Sequence, residues 1–482
     1  DAIGVHKAAV APLAPQLHIA NGWLVRGNKV VTGTRYEVPW WNGSVQPKDL
    51  PNMKPHITRF VPGRTGVGLT DDLDELTDSM QKANVVGIEH NYALWYDRRR
   101  DDHERVRRMN GDVWAPFYEL PFKRSGKESG WDGLSKYDLT TYNPWYWSRL
   151  KKFADLADEK SLVLVHQNYM QHNIIEAGAH YADFPWRPVN NINNTGFPEP
   201  VPYAGDKRLF MAEQFYDITN VVRRKLHTAY IRKCLDNFRD NNGVIQLISA
   251  EYTGPTHFVR FWLDVIKTWE KETGKKELIG LSATKDVQDS ILAVPALAAV
   301  VDLIDIRYWH YQADGTEYAP KGGQNLAPRQ HARLLKPKAT SFAQVYRAVS
   351  EYRKKFPAKA IIYSGDSYTT NGWAAFMAGG SLAALPAIQD NSFLSSASSM
   401  QVHDSDTKGK WFLNNEKGEC IVYNETSDAV KVDLLRYPGS YKVKWINATN
   451  GSMLEQSESI TGGKVIDIVP PNKNVVMWLT RN

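Results

Sequence analysis

The sequence predicts a (β/α)₈ barrel followed by a small all-β sandwich. From residue 17 to about residue 386, short β-branched apolar runs alternate with longer amphipathic segments, which is typical of β/α units around a parallel sheet. About eight of these runs are predicted strands, and eight strands separated by helices favour a closed barrel. Residues 410–482 instead alternate with a period of two, which indicates antiparallel strands.

The predicted barrel strands are short and are separated by helical patterns. They cover residues 30–36, 85–91, 161–168, 244–251, 278–283, 303–309, 359–366 and 381–386. Between them, Asn143 followed by Pro144 predicts a helix start. Phe258, Trp262 and Trp269 share one face of a predicted helix, and such an aromatic stripe indicates core packing.

The chain divides into four predicted parts. They are an N-terminal arm with hairpins (1–30), the barrel (31–390), a linker (391–409) and the sandwich (410–482). Two connections, residues 92–142 and 169–206, are too long for plain linkers, and loops of that size are usually functional. Both follow the carboxyl ends of predicted strands, where barrel active sites lie.

Composition excludes several classes of protein. The 59 basic and 53 acidic residues give a net charge of +6 and are interspersed, so we expect no nucleic-acid partner. No run approaches about 20 apolar residues, so we expect no membrane span. The two cysteines, Cys234 and Cys420, lie far apart and encode neither a disulfide framework nor a thiolate zinc site. The aromatic content of 11% suits both a large core and a pocket for sugar rings.

Two carboxylates close predicted barrel strands, Glu251 after the fourth and Asp366 after the seventh. Glycoside cleavage needs two carboxyl groups across the scissile bond, one protonated and one ionised. The placement therefore predicts Glu251 as the general acid/base and Asp366 as its ionised partner. The alternatives are a structural Glu251 paired with an arginine such as Arg307, and an Asp366 that serves only in a turn or helix cap.

Other polar and aromatic residues near the strand ends are predicted to bind the substrate. They are Arg35, Glu37, His90, Asn91, Trp95, His166, Asn168, Tyr252, Arg307, Tyr308, Trp309 and His310. Trp95 and Trp186, which lie in the two long connections, are further predicted to line sugar subsites.

Two rival functions remain open at this level. His90, His166, His172 and His310 could converge as ligands of a hydrolytic metal ion, although no pair shows the spacing of a known metal motif. We therefore expect no metal and no cofactor. A carbohydrate-binding protein with an inactive barrel would need only the aromatic residues.

Several segments carry a family resemblance: GNKVVTGTRYEVPWW, NPWYWSRLKKFADLADEKSLVLVHQNYMQHN, SAEYTGP, GWAAFMAGGSLAALP, KWINATNG and VVMWLTRN. Together they resemble bacterial polysaccharide-degrading glycoside hydrolases of clan A with an apiosidase-like barrel, of the family 140 type, followed by a β-sandwich of the collagen-binding type. The resemblance implies an acid/base at Glu251 and a nucleophile at Asp366. Such enzymes commonly have Asn before the acid and Glu as the nucleophile, where this chain has Ala250 and Asp366.

The resemblance also implies a periplasmic or secreted bacterial enzyme. The first 16 residues lack the charged and apolar regions of a signal peptide, so we expect a processed start. The resemblance implies a retaining mechanism, and we expect the substrate to be a complex polysaccharide of the plant cell-wall type. Because long loops tend to wall off a pocket, we expect cleavage at chain ends or branches. We expect the protein to be a monomer.

Overall fold

Eight parallel strands form the centre of the molecule. The computed structural model describes residues 14–37, 73–91, 120–130, 134–171, 174, 184–197, 199, 209–404 and 407–482. The strands, numbered here as barrel strands 1 to 8 in sheet order, are Thr34–Glu37, Val85–His90, Val163–Met170, Val244–Ala250, Leu278–Leu281, Leu303–Ile306, Ala360–Tyr363 and Gly380–Ser381. Each matches one of the predicted strands.

The sheet closes on itself between strands 8 and 1. Thr32 and Ala383 form a parallel bridge. The backbone amide of Leu382 donates to the carbonyl of Val31 at 2.8 Å, and that of Gly33 donates to the carbonyl of Ala383 at 2.8 Å. The predicted fold class, a barrel followed by a small all-β domain, is therefore confirmed.

Apolar side chains fill the barrel interior near the amino-terminal ends of the strands. Val163, Val165, Ile245 and Leu247 alternate along strands 3 and 4 and share one buried cluster with residues of strands 6 and 7. Leu24 joins this cluster from a three-stranded antiparallel sheet formed by Leu17–Ala20, Trp23–Arg26 and Lys29–Val30. This sheet closes the amino-terminal end, so the opposite end of the barrel is left to hold a site.

Helices cover the outside of the barrel. The described helices are Leu73–Lys82, Pro144–Lys160, Leu209–Phe215, Val221–Asp236, Thr256–Thr273, Lys285–Leu292, Pro295–Ala298, Pro328–Leu335, Phe342–Lys355, Gly372–Met377 and Phe393–Ala397. The predicted helix start at Pro144 is confirmed. The stripe of Phe258, Trp262 and Trp269 is fully buried, and its helix ends at Gly274, whose φ of 67° suits a glycine. No helix among the described residues is long and apolar enough to cross a membrane.

Short elements occupy the connections between barrel strands. Phe122–Ser129 pairs with Ser135–Tyr142 in the connection after strand 2, and His310–Tyr311 pairs with Glu317–Tyr318 after strand 6. A 3₁₀ helix, Pro188–Asn190, lies in the connection after strand 3. These connections leave the carboxyl ends of the strands, so they surround the open end of the barrel.

The C-terminal part consists of antiparallel strands. In sheet order, six of them are Gln401–His403, Lys410–Asn414, Cys420–Asn424, Val475–Arg481, Ser440–Asn447 and Met453–Thr461, and a separate pair is Val430–Asp433 with Val465–Ile468. The two sheets enclose a second buried cluster that contains Trp445. This region, residues 401–482, is called the C-terminal domain below.

The C-terminal domain packs directly on the barrel. Trp478 contacts Phe393 edge to face, with the ring centroids 5.5 Å apart. The indole nitrogen of Trp373, on the barrel side, donates to the carbonyl of Ala448 at 2.7 Å. The main hydrophobic cluster runs through the barrel helices into residues of the sheet, so the two parts share one core.

Candidate active site

The carboxyl ends of the barrel strands bring charged side chains together above the apolar interior. Successive residues of a strand point to opposite faces, so Arg35, Glu89 and Asp305 lie on the side facing the barrel axis. These three residues are 8%, 6% and 3% exposed, respectively. The open end of the barrel is therefore lined with ionised groups that cannot be solvated freely and must be paired.

Four charged side chains and one serine form a closed set of hydrogen bonds, which we call the arginine–carboxylate ring. Arg307 donates from Nη1 and Nη2 to the two oxygens of Glu89 at 2.8 and 2.7 Å, and from Nε to Asp305 at 2.9 Å. Arg35 donates from Nη1 to Glu89 at 2.8 Å and to Ser364 at 2.9 Å. Ser364 completes the ring by donating to Asp305 at 2.5 Å.

The ring has two positive and two negative charges, so its carboxylates are neutralised locally. Burial by itself would raise the pKa of Glu89, but the charges of Arg307 and Arg35 outweigh burial and hold that pKa at about 2. Glu89 therefore remains ionised at neutral pH. A carboxylate so held has little capacity to transfer protons.

Glu251 lies at the carboxyl end of strand 4 in a strained backbone conformation. Its φ is 56°, in the left-handed region that non-glycine residues rarely adopt. Ser367 and Leu382, which follow strands 7 and 8, also have positive φ, at 54° and 50°. Backbone strain of this kind costs on the order of 1 kcal/mol per residue and often accompanies functional sites.

Glu251 lies beside the arginine–carboxylate ring but is not a member of it. Burial raises the pKa of Tyr308, the charge of Arg307 opposes this rise, and the charge of Glu251 adds to it. Glu251 is therefore within electrostatic range of the Tyr308 hydroxyl. The guanidinium of Arg307 gives all three of its nitrogens to Glu89 and Asp305. Arg307, the arginine considered as a structural partner of Glu251, is thus paired with Glu89 and Asp305 instead.

Asp366 lies in the loop after strand 7 and is half-buried. Its Oδ2 accepts from the backbone amide of Thr340 at 3.0 Å and from the hydroxyl of Ser367 at 3.2 Å. Its own carbonyl accepts from the hydroxyl of Tyr363 at 3.0 Å. The turn chemistry considered for Asp366 is therefore present at Oδ2. These contacts fix the position of the carboxylate.

Three residues predicted to bind substrate, His90, His166 and Asn168, lie in the packed interior. The rings of His90 and His166 stack 5.6 Å apart, and both residues are fully buried. Burial lowers the pKa of His166 to about 4, so its ring is neutral. Asn168 donates to Gln246 at 2.8 Å and accepts from the indole of Trp262 at 2.8 Å. These three side chains therefore lie within the packed layer between the strands and the helices.

Tyr252, Trp309 and His310 also have partners inside the protein. The hydroxyl of Tyr252 donates to the carbonyl three residues later at 2.7 Å. The indole of Trp309 donates to Gln288 at 2.8 Å, and this tryptophan is fully buried. The Nε2 of His310 lies 2.9 Å from the carbonyl of Lys338. Of the aromatic residues predicted near strands 4 and 6, Tyr308 alone is only partly buried and lies near Glu251.

The remaining predicted residues have different positions. Glu37 ends strand 1, and Asn91 follows strand 2 and is half-buried. Trp95 and His172 lie outside the described residues. Trp186 is 1% exposed and stacks on a histidine ring at 4.5 Å, so its position is that of a packing residue.

The ring contains three residues that sequence reasoning missed: Glu89, Asp305 and Ser364. Strand periodicity is the signal that could have found them, since Glu89 and Asp305 each lie an even number of residues from inward-facing positions of their strands. Tyr368 is a further missed neighbour, with its ring 4.9 Å from the guanidinium carbon of Arg35.

The histidines predicted as possible metal ligands do not form a metal site among the described residues. Within the described ranges, no three His, Cys, Asp or Glu side chains lie together in a way that could hold a metal ion. His90 and His166 are stacked on each other, whereas His310 lies against Tyr318 at 5.1 Å. The structure therefore does not bring these three histidines together at one point.

Comparisons with known proteins give a family and a group of distant structures. A family profile described as "Domain of unknown function (DUF6298)" matches residues 1–400, and no curated protein matches the chain. The chain is similar to a glycoside hydrolase family 5 protein from Bacteroides vulgatus ATCC 8482, with 10% identity, coverage of 97% of this chain and 94% of that chain, and a TM-score of 0.49.

Two further solved structures show the same distant similarity. One is described as "Glycoside hydrolase", with 10% identity over 97% of each chain and a TM-score of 0.48. The other is an α-galactosidase from Saccharomyces cerevisiae, with 9% identity over 96% of this chain and 100% of that chain, and a TM-score of 0.39. Similarity at this level does not assign a function, and the barrel described above rests on its own strand pairing.

Proposed function

The chain belongs to the family described as Domain of unknown function (DUF6298), and we propose that it is a glycoside hydrolase that uses two carboxylates at the open end of its barrel. Among the described strand-end carboxylates, Glu89 and Asp305 are bonded to arginines. Glu251 directly follows strand 4 with a φ of 56°, and Asp366 follows strand 7, and we propose these two as the reacting pair. The positions of Glu251 and Asp366, after strands 4 and 7 on the open end of the barrel, are the observation that carries the proposal.

In this proposal Glu251 is the general acid/base. Protonated Glu251 donates its proton to the glycosidic oxygen as the bond to the anomeric carbon breaks, which releases the leaving group as an alcohol. The same carboxylate then takes a proton from the water that completes hydrolysis. The strained backbone at Glu251 supports this role, since a positive φ directs the side chain differently from the rest of its strand.

Asp366 is the proposed nucleophile of a retaining reaction. Its carboxylate attacks the anomeric carbon to form a glycosyl ester, and water later displaces Asp366 to give a sugar with the original anomeric configuration. Anchoring of Oδ2 by Thr340 and Ser367 supports this role because it holds the carboxylate in one orientation.

The arginine–carboxylate ring supports the catalytic pair without taking part in bond breaking. It places two guanidinium groups at the open end of the barrel while keeping the local net charge at zero. We propose that Arg307 and Tyr308, which are partly exposed, contact sugar hydroxyls there, and that the buried Arg35 holds Glu89 in place beneath them.

The proposal also includes a class of substrate and a cellular location. The family resemblance of the sequence supports a complex polysaccharide of the plant cell-wall type as substrate, with apiosidase-like cleavage at chain ends or branches. It also supports a periplasmic or secreted monomer. The long connections after strands 2 and 3 are consistent with a walled pocket.

A glycan digestion screen tests the proposal. Purified wild-type protein, Glu251→Gln and the control Glu317→Gln, whose side chain is exposed, are incubated with a panel of plant polysaccharides, and released sugars are measured by mass spectrometry. We expect the wild type and the control to release sugar from at least one glycan and Glu251→Gln to release none above background. Equal release by Glu251→Gln would refute the role of Glu251, and no release by the wild type from any glycan would count against the hydrolase itself.

A further inference from the structure

A cleft lies where the barrel meets the C-terminal domain. Its volume is about 640 Å³, within the range of small-molecule sites. Thr34, Asn84 and Thr369 contribute from the barrel side, and Tyr423 and Asn474 contribute from the C-terminal domain. Neither Glu251, Asp366 nor any member of the arginine–carboxylate ring lines it. The cleft is therefore separate from the candidate active site.

The lining of this cleft is uncharged. Its described side chains are threonines, asparagines, two aromatic residues and small apolar residues, although charged residues make up 23% of the whole chain. A charged ligand would find no ion-pair partner among them. A neutral ligand rich in hydroxyl groups would meet both hydrogen-bonding groups and apolar surface.

Several polar groups of the cleft are unused by the protein. Among the described residues, the hydroxyl of Tyr423, the hydroxyl of Thr369 and the side-chain amide of Asn474 make no hydrogen bond. Hydroxyl and amide groups both donate and accept, so they match the hydroxyls of a sugar. The groups that could pair with a neutral carbohydrate are thus present on both sides of the cleft.

Other contacts hold the walls of the cleft in place. The ring of Tyr423 stacks on Phe342 with centroids 4.9 Å apart and on Trp373 with centroids 5.9 Å apart. Asn84 donates to the carbonyl of Leu385 at 3.0 Å. The cleft is therefore largely preformed, which reduces the entropy lost when a ligand binds.

We propose that this cleft is a second carbohydrate-binding site that holds a short segment of a neutral polysaccharide. The site spans the barrel and the C-terminal domain, so it gives the C-terminal domain a binding function in addition to its packing role. The inference does not depend on the activity proposed for the barrel, because binding in the cleft requires no cleavage.

Affinity electrophoresis tests the proposal. The full chain is run at 4 °C through gels containing xyloglucan, galactomannan, arabinan or polygalacturonate, and through a gel without polysaccharide. Tyr423→Phe removes one hydroxyl and keeps the stacked ring. Asn474→Gly removes one amide at a position whose φ is 55°, which glycine adopts readily. Thermal unfolding of each variant verifies that it is folded.

We expect at least one neutral polysaccharide to retard the wild-type chain, and each variant to bind it about 2-fold to 10-fold more weakly, as expected for one lost hydrogen bond. Glu251→Gln should be retarded like the wild type. Retardation by polygalacturonate alone, no retardation in any neutral gel, or unchanged retardation of both folded variants would overturn the proposal.

Discussion

Replacing Glu89 by glutamine tests the arginine–carboxylate ring as a stabilising unit. The pKa of Glu89 lies at about 2 in the folded protein, against an ordinary value of 4.5. This difference corresponds to about 3 kcal/mol of folding free energy at neutral pH. Glutamine keeps the size of the side chain but leaves Arg35 and Arg307 buried without the carboxylate that neutralises them. Breaking a buried pair in this way costs about 3–5 kcal/mol, which agrees with the value from the pKa.

The pH dependence of this loss has a definite sign. Because the folded pKa of Glu89 is lowered, its stabilisation is fully present above the unfolded value of 4.5 and declines as the pH falls toward about 2. The difference in unfolding free energy between wild type and Glu89→Gln should therefore be about 3 kcal/mol at pH 7 and about 2 kcal/mol at pH 3.5.

Urea unfolding followed by tryptophan fluorescence at both pH values measures this difference. Glu317→Gln, an exposed carboxylate, serves as the control and should change stability by less than about 0.5 kcal/mol. A Glu89→Gln variant within 1 kcal/mol of the wild type at pH 7, or a loss that does not shrink at pH 3.5, would refute the reasoning.

Two further predictions concern residues far from the catalytic pair. Burial raises the pKa of Glu277 to about 8, so between pH 4.5 and 8 the carboxyl ionises in the unfolded chain but not in the fold, and the wild type loses stability. From pH 4 to pH 7, the unfolding free energy of Glu277→Gln, measured in urea, should therefore rise by about 3 kcal/mol relative to that of the wild type. No relative rise would contradict this prediction. Trp478→Ala should lose about 3–5 kcal/mol because Trp478 joins the C-terminal domain to Phe393, whereas the exposed control Val469→Ala should lose less than about 0.5 kcal/mol; equal losses would show that the contact is unimportant.

Much of the fold could be predicted because local patterns determine it. Strands of a closed barrel are bounded by helices with their own start and stop signals, as at Asn143 and Gly274. Strand 8 was predicted over 381–386 but pairs regularly only over Gly380–Ser381, since the chain then turns to bridge Thr32. Such details depend on barrel closure, which no local pattern encodes.

The site was harder to predict because the end of a strand does not fix the direction of a side chain. His90 and Glu89 are neighbours at the end of strand 2, yet Glu89 joins the ring and His90 packs against the helix layer. Alternation from the apolar inward residues of each strand distinguishes them. The two members of an ion pair can lie far apart in the sequence, as Glu89 and Arg307 do at 218 positions. Such a pairing could not be predicted from residue spacing.

The most direct test of the catalytic pair is a comparison of kcat for Glu251→Gln, Asp366→Asn and the double variant on a glycan that the wild type cleaves. If both carboxylates act in one reaction, each single change should lower kcat by at least about 10²-fold, and the double variant should fall little further, because groups that act as a unit are strongly non-additive. A normal kcat for Asp366→Asn, or a double variant whose loss is the product of the two single losses, would contradict the account.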